Sequence, residues 1–394
     1  MKRAGKIFTG ILVGILIILA LAIAGIYVSG NGYIFKAFQK TYLKGYTTAY
    51  IDDYADFDNA VVRAGIPQPW ELHEKYNQLQ LTDTLRKELE DIQTVGFGIF
   101  KDGKLLYEEY WNDYSDSSKT NAFSMAKSVT TMLLGKAIEQ GYVKSLGQRI
   151  TDFIPEFLSD SLGCLVTVGD LSSMRSGFDW TEDYYSPFNA TTEAYYGNNI
   201  EEQLIKRHFS DCPGGHFKYL SANTELLAIV LKRAVGKDLA QYLSEEFWQP
   251  MGMESDALWS MSGGIEKSFC CIYSNVRDYA KLGQLLLQKG NWNGIQLLDS
   301  AFVELMITPC YDAFLPDEPK KYGYSIWIDE DYTPPFYAMV GHLGQRIIVI
   351  PDEHLVIVKL GKQETTHPSK GHLAADIYLM VDEVVKMTTD SVSE

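Results

Sequence analysis

The distribution of strand patterns along the chain is the strongest constraint on its fold. An apolar run over residues 94–100, the pair Asp102-Gly103 and a second run over residues 105–111 have the pattern of a β-hairpin. The next clear strand patterns come only near the other end of the chain, at residues 322–328, 337–341, 346–350 and 355–360. We therefore expect one mostly antiparallel sheet whose strands come from both ends of the chain.

The segment between these strand regions, about residues 120–320, is predicted to be mainly helical. Thr167 and Asp170 form a capping pattern for a helix that we expect to end at Gly177, and residues 183–199 are predicted to be a loop. Further helices are predicted at residues 82–89, 201–207, 223–234, 238–247, 275–288, 300–306 and 371–387. The fold class is α/β in the broad sense (α+β), an antiparallel sheet flanked by helices plus a helical subdomain. A cleft between the two is the expected site.

The first 35 residues differ from the rest of the chain. Lys2, Arg3 and Lys6 precede a run over residues 7–28 that has no charged side chain and is long enough to cross a bilayer. Basic residues at its start would keep the N-terminus in the cytoplasm, so we expect a single-pass membrane protein whose body lies in the periplasm or outside the cell. Residues 22–24, Ala-Ile-Ala, also resemble a signal-peptidase site, and export with cleavage is the alternative.

These patterns divide the chain into residues 1–35 (membrane anchor or export signal), 36–93 (a lead-in segment without a clear period) and 94–388 (the main domain). The formal net charge of −16 argues against nucleic acid as a partner. The five cysteines include no Cys-x-x-Cys pair, so we expect most of them to be small buried residues, with one disulfide left open. No metal and no organic cofactor is expected, and the oligomeric state is left open.

One predicted helix start combines a serine and a lysine. Met125, Val129 and Met132 recur at helical spacing, and Ser124 lies at the first turn with Lys127 one turn further along. A lysine whose pKa is lowered in a dry site can take the proton of a serine hydroxyl, which makes the serine a nucleophile. The alternative is that Ser124 is an ordinary N-cap and Lys127 a solvated surface charge.

Two later motifs complete a set of three. Tyr219, Ser221 and Asn223 lie directly before a predicted helix, and His342-Leu343-Gly344 lies where one strand turns into the next. The sequence has no Gly-x-Ser-x-Gly elbow, no His-Glu-x-x-His zinc motif and no phosphate-binding glycine loop. Taken alone, Tyr219 would be a packed aromatic residue and His342 a core histidine.

In this order the three motifs resemble those of class C β-lactamases, DD-peptidases and the family VIII esterases and nylon-oligomer (aminohexanoate-dimer) hydrolases that share their fold. The resemblance covers roughly residues 94–385 and implies a β-lactamase/DD-peptidase-like fold. It implies that Ser124 is the acylated nucleophile, Lys127 its proton acceptor and Tyr219 the group that passes a proton to the leaving group. The backbone N–H groups of Ser124 and Gln345 would form the oxyanion hole.

Two positions depart from the class C pattern. Ser221 stands where those enzymes have Asn and His342 where they have Lys, whereas Gly344 matches the glycine of their Lys-Thr-Gly strand. Both departures are similar to the aminohexanoate-dimer hydrolases, so the resemblance implies that Ser221, His342 and Gly344 bind a small-molecule amide or ester. The alternatives are a DD-peptidase or β-lactamase and, from another class, a non-catalytic peptidoglycan-binding or sensor protein.

Some neighbouring residues are expected to be structural. Arg346 is predicted to pair with a surface acid, and contact with a substrate anion is the alternative. The four tyrosines of the predicted loop are expected to pack within it, and a position at the rim of the substrate site is the alternative; they are Tyr184, Tyr185, Tyr195 and Tyr196.

Overall fold

A computed structural model describes residues 2–310 and 321–390 of the protein, apart from the side chains of residues 2–5 and 390. The α-helices are Lys2–Val28, Tyr33–Lys40, Asp83–Asp91, Met125–Glu139, Val168–Ser172, Ala190–Tyr196, Ile200–Ile205, Ser221–Val235, Leu239–Leu243, Val276–Leu287, Ser300–Ile307 and Ala375–Asp390. A π-helical turn, Ser244–Trp248, continues the ninth of these helices.

The main sheet has six antiparallel strands and confirms the expected topology. Its spatial order is Trp327–Asp329, Phe336–Gly341, Gln345–Ile350, Leu355–Gly361, Thr94–Lys101 and Lys104–Tyr110. The N-terminal hairpin is thus paired to the C-terminal strands through Leu355–Gly361 and Thr94–Lys101. The sheet is buried on both faces, with one apolar core toward the two outer helices Asp83–Asp91 and Ala375–Asp390 and a larger one toward the remaining helices.

Small residues let the sheet and its inner helix approach closely. A Cβ atom at Gly98 would lie 2.7 Å from Val276, and one at Gly283 would lie 2.8 Å from Val356. Both distances are far below an ordinary van der Waals contact, so larger side chains would push the helix Val276–Leu287 off the sheet.

A second antiparallel sheet, which was not predicted, combines one strand of the lead-in segment with strands of the segment expected to be helical. Its spatial order is Asn59–Val62, Ala257–Ser262, Ile272–Ser274 and Thr120–Asn121. The short strand Ile265–Glu266 also pairs with Ala257–Ser262. Strands of two to six residues are too short to give a periodic signal in the sequence. A separate two-stranded ribbon pairs Asn291–Trp292 with Ile295–Gln296.

Several predicted boundaries were wrong. The capping box of Thr167 and Asp170 is present, but the helix ends at Ser172, well before Gly177. The predicted loop at residues 183–199 contains the helix Ala190–Tyr196, because the Asn189 side chain caps it by accepting a hydrogen bond from the Thr192 N–H. The strand predicted at 322–328 is shorter, Trp327–Asp329, and residues 311–320 lie outside the described residues.

The N-terminal helix contains one segment, Lys6–Val28, that is long and apolar enough to cross a membrane, and its side chains are not covered by the rest of the protein. The short helix Tyr33–Lys40 follows and packs against Ala190–Tyr196. The beginning of the lead-in segment is therefore attached to the body of the protein.

Candidate active site

Ser124 lies at a sharp turn between the small sheet and the helix Met125–Glu139. Phe123 has a φ of 44°, in the left-handed region, and its N–H donates to Asn121 Oδ1 at 2.9 Å. The Ser124 side chain makes no capping hydrogen bond to the helix. Ser124 therefore occupies the N-cap position without acting as a side-chain cap.

Lys127 is buried beside this serine, with a side chain only 1% exposed. Its Nζ lies 2.8 Å from Ser124 Oγ, 2.8 Å from the carbonyl oxygen of Phe269 and 3.3 Å from Ser221 Oγ. Burial lowers the pKa of Lys127 to about 8, although the nearby carboxyl groups of Glu182 and Glu225 act in the opposite direction. The alternative that Lys127 is a solvated surface charge is wrong.

The hydrogen bonds around Lys127 accommodate both forms of its amine. The ammonium form can donate to Ser124, Ser221 and Phe269, and the neutral form keeps two of these bonds. The Ser221 hydroxyl donates to Glu182 Oε1 at 2.6 Å, so Ser221 Oγ is free to accept from Lys127. Two N–H groups of the neutral amine can then donate to Ser221 and to the Phe269 carbonyl. The nitrogen lone pair is left for the Ser124 hydroxyl, which is the arrangement that a general base requires.

Tyr219 approaches Ser124 from another side. Its hydroxyl is hydrogen-bonded to Ser124, and its ring centroid lies 5.1 Å from Lys127 Nζ. Burial raises the pKa of the Tyr219 hydroxyl above its ordinary value, so the group stays protonated and can donate. The rings of Tyr322 and Trp327 pack against it, with centroids 6.0 and 5.5 Å away.

His342 lies on the facing wall of the site. Its ring contacts those of Phe123 and Tyr184, with centroids 5.5 and 5.2 Å away, and its Nδ1 lies 3.6 Å from Glu364 Oε1. Its Nε2 is buried without a hydrogen-bond partner within residues 2–310 and 321–390. A buried nitrogen left unpaired is costly unless something else binds it, so this atom is a candidate substrate contact.

Gly344 and Gln345 form the turn into the next strand. Gly344 has a φ of 80°, and a Cβ atom there would lie 2.6 Å from Lys359 Nζ, so only glycine fits. The Gln345 side chain turns away from the pocket and exchanges hydrogen bonds with Gly361, donating to its carbonyl at 2.6 Å and accepting from its N–H at 3.1 Å. These two hydrogen bonds fix Gln345 against the neighbouring strand Leu355–Gly361. The role of the Gln345 backbone N–H in the oxyanion hole stays a prediction.

The prediction that Arg346 pairs with a surface acid was wrong. Its guanidinium lies 3.2 Å from the carboxyl group of Asp376, both side chains are 1% exposed, and it also donates to the Gly341 carbonyl at 2.8 Å. The pair therefore holds the turn that carries His342 from inside the protein.

A pocket opens from Ser124 and has about 680 Å³ of space, part of it open to solvent. The prediction that the four tyrosines pack only within their loop was wrong, because all of them line this pocket. The other lining residues with rings or apolar side chains are Ala37, Tyr42, Ala49, Phe123, Pro187, Phe269 and His342.

The expectation that most cysteines are buried was wrong, whereas the disulfide that the sequence left open is present. Cys270 and Cys271 are joined by a disulfide, whereas Cys164 and Cys310 are partly exposed and Cys212 is exposed. Cys270 lines the pocket, and the Cys271 N–H donates to Asn121 at 3.1 Å. The disulfide therefore joins a residue of the pocket wall to a residue that is hydrogen-bonded to Asn121, the side chain that also accepts the Phe123 N–H beside the nucleophile.

Three parts of the site were not found from the sequence: the Glu182 carboxyl group, the Phe269 carbonyl and the pocket wall from the lead-in segment. Each contact joins residues far apart in the chain, and none has a local pattern. Over the described ranges, no group of three or more His, Cys, Asp or Glu side chains is arranged to hold a metal ion.

The family model described as Beta-lactamase matches residues 81–379 of the chain. The protein therefore belongs to the beta-lactamase family and is a serine hydrolase of that family. The recognition of this family from the three motifs, and the fold that it implied, are confirmed.

Individual relatives agree with this assignment. The 6-aminohexanoate-dimer hydrolase of Paenarthrobacter ureafaciens is 24% identical over 297 residues, which are 70% of this chain and 74% of that protein. A Bacillus anthracis protein provisionally named a 6-aminohexanoate-dimer hydrolase has a similar structure, with a TM-score of 0.70 and 23% identity over 90% of this chain and 92% of that one. A family VIII carboxylesterase is similar with a TM-score of 0.60 and 15% identity, over 83% of this chain and 100% of its own.

Proposed function

We propose that this protein is an exported serine hydrolase that cleaves a small amide or ester through an acyl-enzyme on Ser124. The observation that carries the proposal is the set of Ser124, Lys127 and Tyr219, in which a buried lysine with a pKa of about 8 lies 2.8 Å from the serine oxygen. A non-catalytic binding or sensor protein has no use for such a lysine.

The acylation step follows from these contacts. Lys127 Nζ takes the Ser124 hydroxyl proton while Ser124 Oγ attacks the carbonyl carbon of the substrate. The backbone N–H groups of Ser124 and Gln345 stabilise the oxyanion that forms. As the tetrahedral intermediate collapses, Tyr219 gives its hydroxyl proton to the departing nitrogen or oxygen, and the Lys127 ammonium returns a proton to the Tyr219 oxygen.

Deacylation uses the same groups in the reverse direction. A water molecule enters the place of the leaving group and attacks the acyl carbonyl as Lys127 accepts its proton, either directly or through Tyr219, which takes the water proton while it passes its own hydroxyl proton to Lys127. The new intermediate expels Ser124 Oγ, which regains a proton from Lys127, and the acid product leaves. Ser221, Gly344 and the unpaired Nε2 of His342 are the proposed substrate contacts.

The location is part of the proposal. The apolar helix with basic residues before it supports a single-pass anchor in the cell membrane, with the catalytic domain in the periplasm or outside the cell. Cleavage after the apolar run would release the same domain in soluble form.

A substrate panel tests the proposal. The purified full chain should release product from p-nitrophenyl acetate and from short amide dimers, and the Ser124→Ala variant should not. A chromogenic cephalosporin in the same panel distinguishes the alternatives, because rapid turnover would favour a β-lactamase. Absence of hydrolysis of every ester, amide and β-lactam would contradict the enzyme proposal.

A further inference from the structure

One wall of the active-site pocket comes from outside the region that the family model matches. Residues 37–49 contribute Ala37, Thr41, Tyr42, Thr47, Thr48 and Ala49 to the lining, whereas the family match begins at residue 81. This wall is attached to the opposite side of the pocket, since the Thr48 hydroxyl donates to the Tyr184 carbonyl at 3.3 Å. The segment that follows the apolar helix therefore helps to shape the space in front of Ser124.

The segment over residues 37–49 also places the pocket near the end of the apolar helix. Only Ser29 to Gly32 separate the end of the apolar helix at Val28 from the helix Tyr33–Lys40. Four extended residues reach at most about 14 Å. If the apolar helix spans the bilayer, the helix Tyr33–Lys40, which carries the first wall residue Ala37, begins within the interfacial layer or close above it.

The outer edge of the pocket has the composition of a membrane-interface surface. Two segments that carry pocket-lining residues also carry large apolar side chains that are between 51% and 68% exposed: Phe38, Tyr42, Leu43, Tyr185 and Phe188. We call these five residues the apolar rim. Tyr42 and Tyr185 also line the pocket itself, so the apolar surface is continuous from the outside to the vicinity of Ser124. Exposed aromatic residues beside a membrane span are typical of contact with lipid head groups and the upper acyl chains.

The interior of the pocket fits an uncharged, apolar group. Among its described lining residues there is no Lys or Arg, and Asp183 is the one carboxylate. Asp183 Oδ1 accepts the N–H groups of Tyr185 and Ser186 at 2.9 and 3.1 Å, so this oxygen is engaged by the loop backbone. A hydrocarbon chain can fill such a space, whereas a substrate carboxylate or phosphate would find no cation there.

From this continuity we infer that the substrate is an amphiphile from the bilayer that holds the enzyme, an ester or amide whose hydrocarbon chain passes the apolar rim and lies in the pocket. The inference rests on the proposed hydrolase function and on retention of the N-terminal anchor. Recruitment from the membrane would keep the hydrocarbon chain of the substrate out of water throughout. This hydrocarbon chain would pass from the lipid to the apolar rim and then to the aromatic walls of the pocket.

Chain-length dependence is the first test. The full chain in phosphatidylcholine vesicles is assayed with p-nitrophenyl acetate, butyrate and octanoate. Each methylene that becomes buried can raise kcat/KM by up to about fourfold, so octanoate should exceed acetate by at least about tenfold. The double variant Tyr42→Ser/Tyr185→Ser should lower the octanoate-to-acetate ratio several-fold. The matched control Ile295→Ser, an equally exposed residue on the two-stranded ribbon, should keep the ratio of the unaltered protein.

The source of the substrate is the second test. A palmitoyl ester of p-nitrophenol is placed either in the vesicles that carry the enzyme or in separate vesicles. Hydrolysis should be at least several-fold faster when both share a bilayer. Ser124-dependent hydrolysis of acetate without chain-length preference, or equal rates in the two vesicle arrangements, would overturn this inference and leave the hydrolase intact. Failure with acetate as well would instead remove the proposed function.

Discussion

The protonation of Lys127 should control how fast Ser124 is acylated. At pH 7 an ordinary lysine with a pKa of 10.5 is neutral in about one molecule in 3,000, whereas a pKa of about 8 leaves about one in ten neutral. Burial therefore increases the supply of free base roughly 300-fold at neutral pH. Since the group acts in its neutral form, raising the pH must increase the rate until the lysine is fully deprotonated.

The assay is the second-order rate of reaction with a fluorophosphonate probe between pH 6 and pH 10. The rate should rise nearly tenfold per pH unit at first, with a midpoint near the Lys127 pKa of about 8, and then become constant. The Lys127→Arg variant, whose guanidinium cannot lose its proton, should react about 10²–10⁴ times more slowly and show no rise. Circular dichroism of the variant serves as the control for folding. A flat profile, or a midpoint above pH 10, would refute the assignment of Lys127 as the base.

Three further predictions concern the surroundings of the nucleophile. Tyr219→Phe should lower the turnover of an amide substrate by about 10²–10⁴-fold in a steady-state assay while the serine still reacts with fluorophosphonate, and unchanged turnover would exclude it as the proton donor. Reduction of the Cys270–Cys271 disulfide with dithiothreitol should slow ester hydrolysis, because the carbonyl of Phe269, next to Cys270, accepts a hydrogen bond from Lys127. The double variant Cys270→Ser/Cys271→Ser should show no change in rate when the reductant is added. Asp376→Asn leaves buried Arg346 without its partner and should lower the free energy of unfolding by about 3–5 kcal/mol in urea titrations; a loss below about 1 kcal/mol would contradict the pairing.

The sheet could be predicted from the sequence because its strands are long enough to show a pattern and are bounded by clear turns. The Asp102-Gly103 hairpin is an example, since the two flanking strands pair as expected. The strand Thr120–Asn121, which leads into the nucleophile, has only two residues and gave no signal. Its position depends on pairing with Ile272–Ser274, which is distant in the sequence.

The active site, like the sheets, could be predicted from the sequence only in part. The approach of Lys127 to Ser124 follows from their spacing on one helix, whereas the placement of Tyr219 beside them was implied by the resemblance to a known family. Glu182 could not be found in this way, because its contact with Ser221 crosses 39 residues and a carboxylate in a loop is usually solvated. Arg346 was assigned to the surface for a related reason: its partner Asp376 belongs to the C-terminal helix, and burial of an ion pair has no local sequence signal.

Identification of the residue that a fluorophosphonate phosphonylates tests the central claim most directly. The full chain is incubated with a fluorophosphonate probe, and the adduct is located by mass spectrometry of its peptides, with the Ser124→Ala variant as the control. We predict one adduct per chain, on Ser124, and none in the variant. An adduct on another residue, or no adduct under conditions where the protein is folded, would contradict the account of Ser124 as the nucleophile.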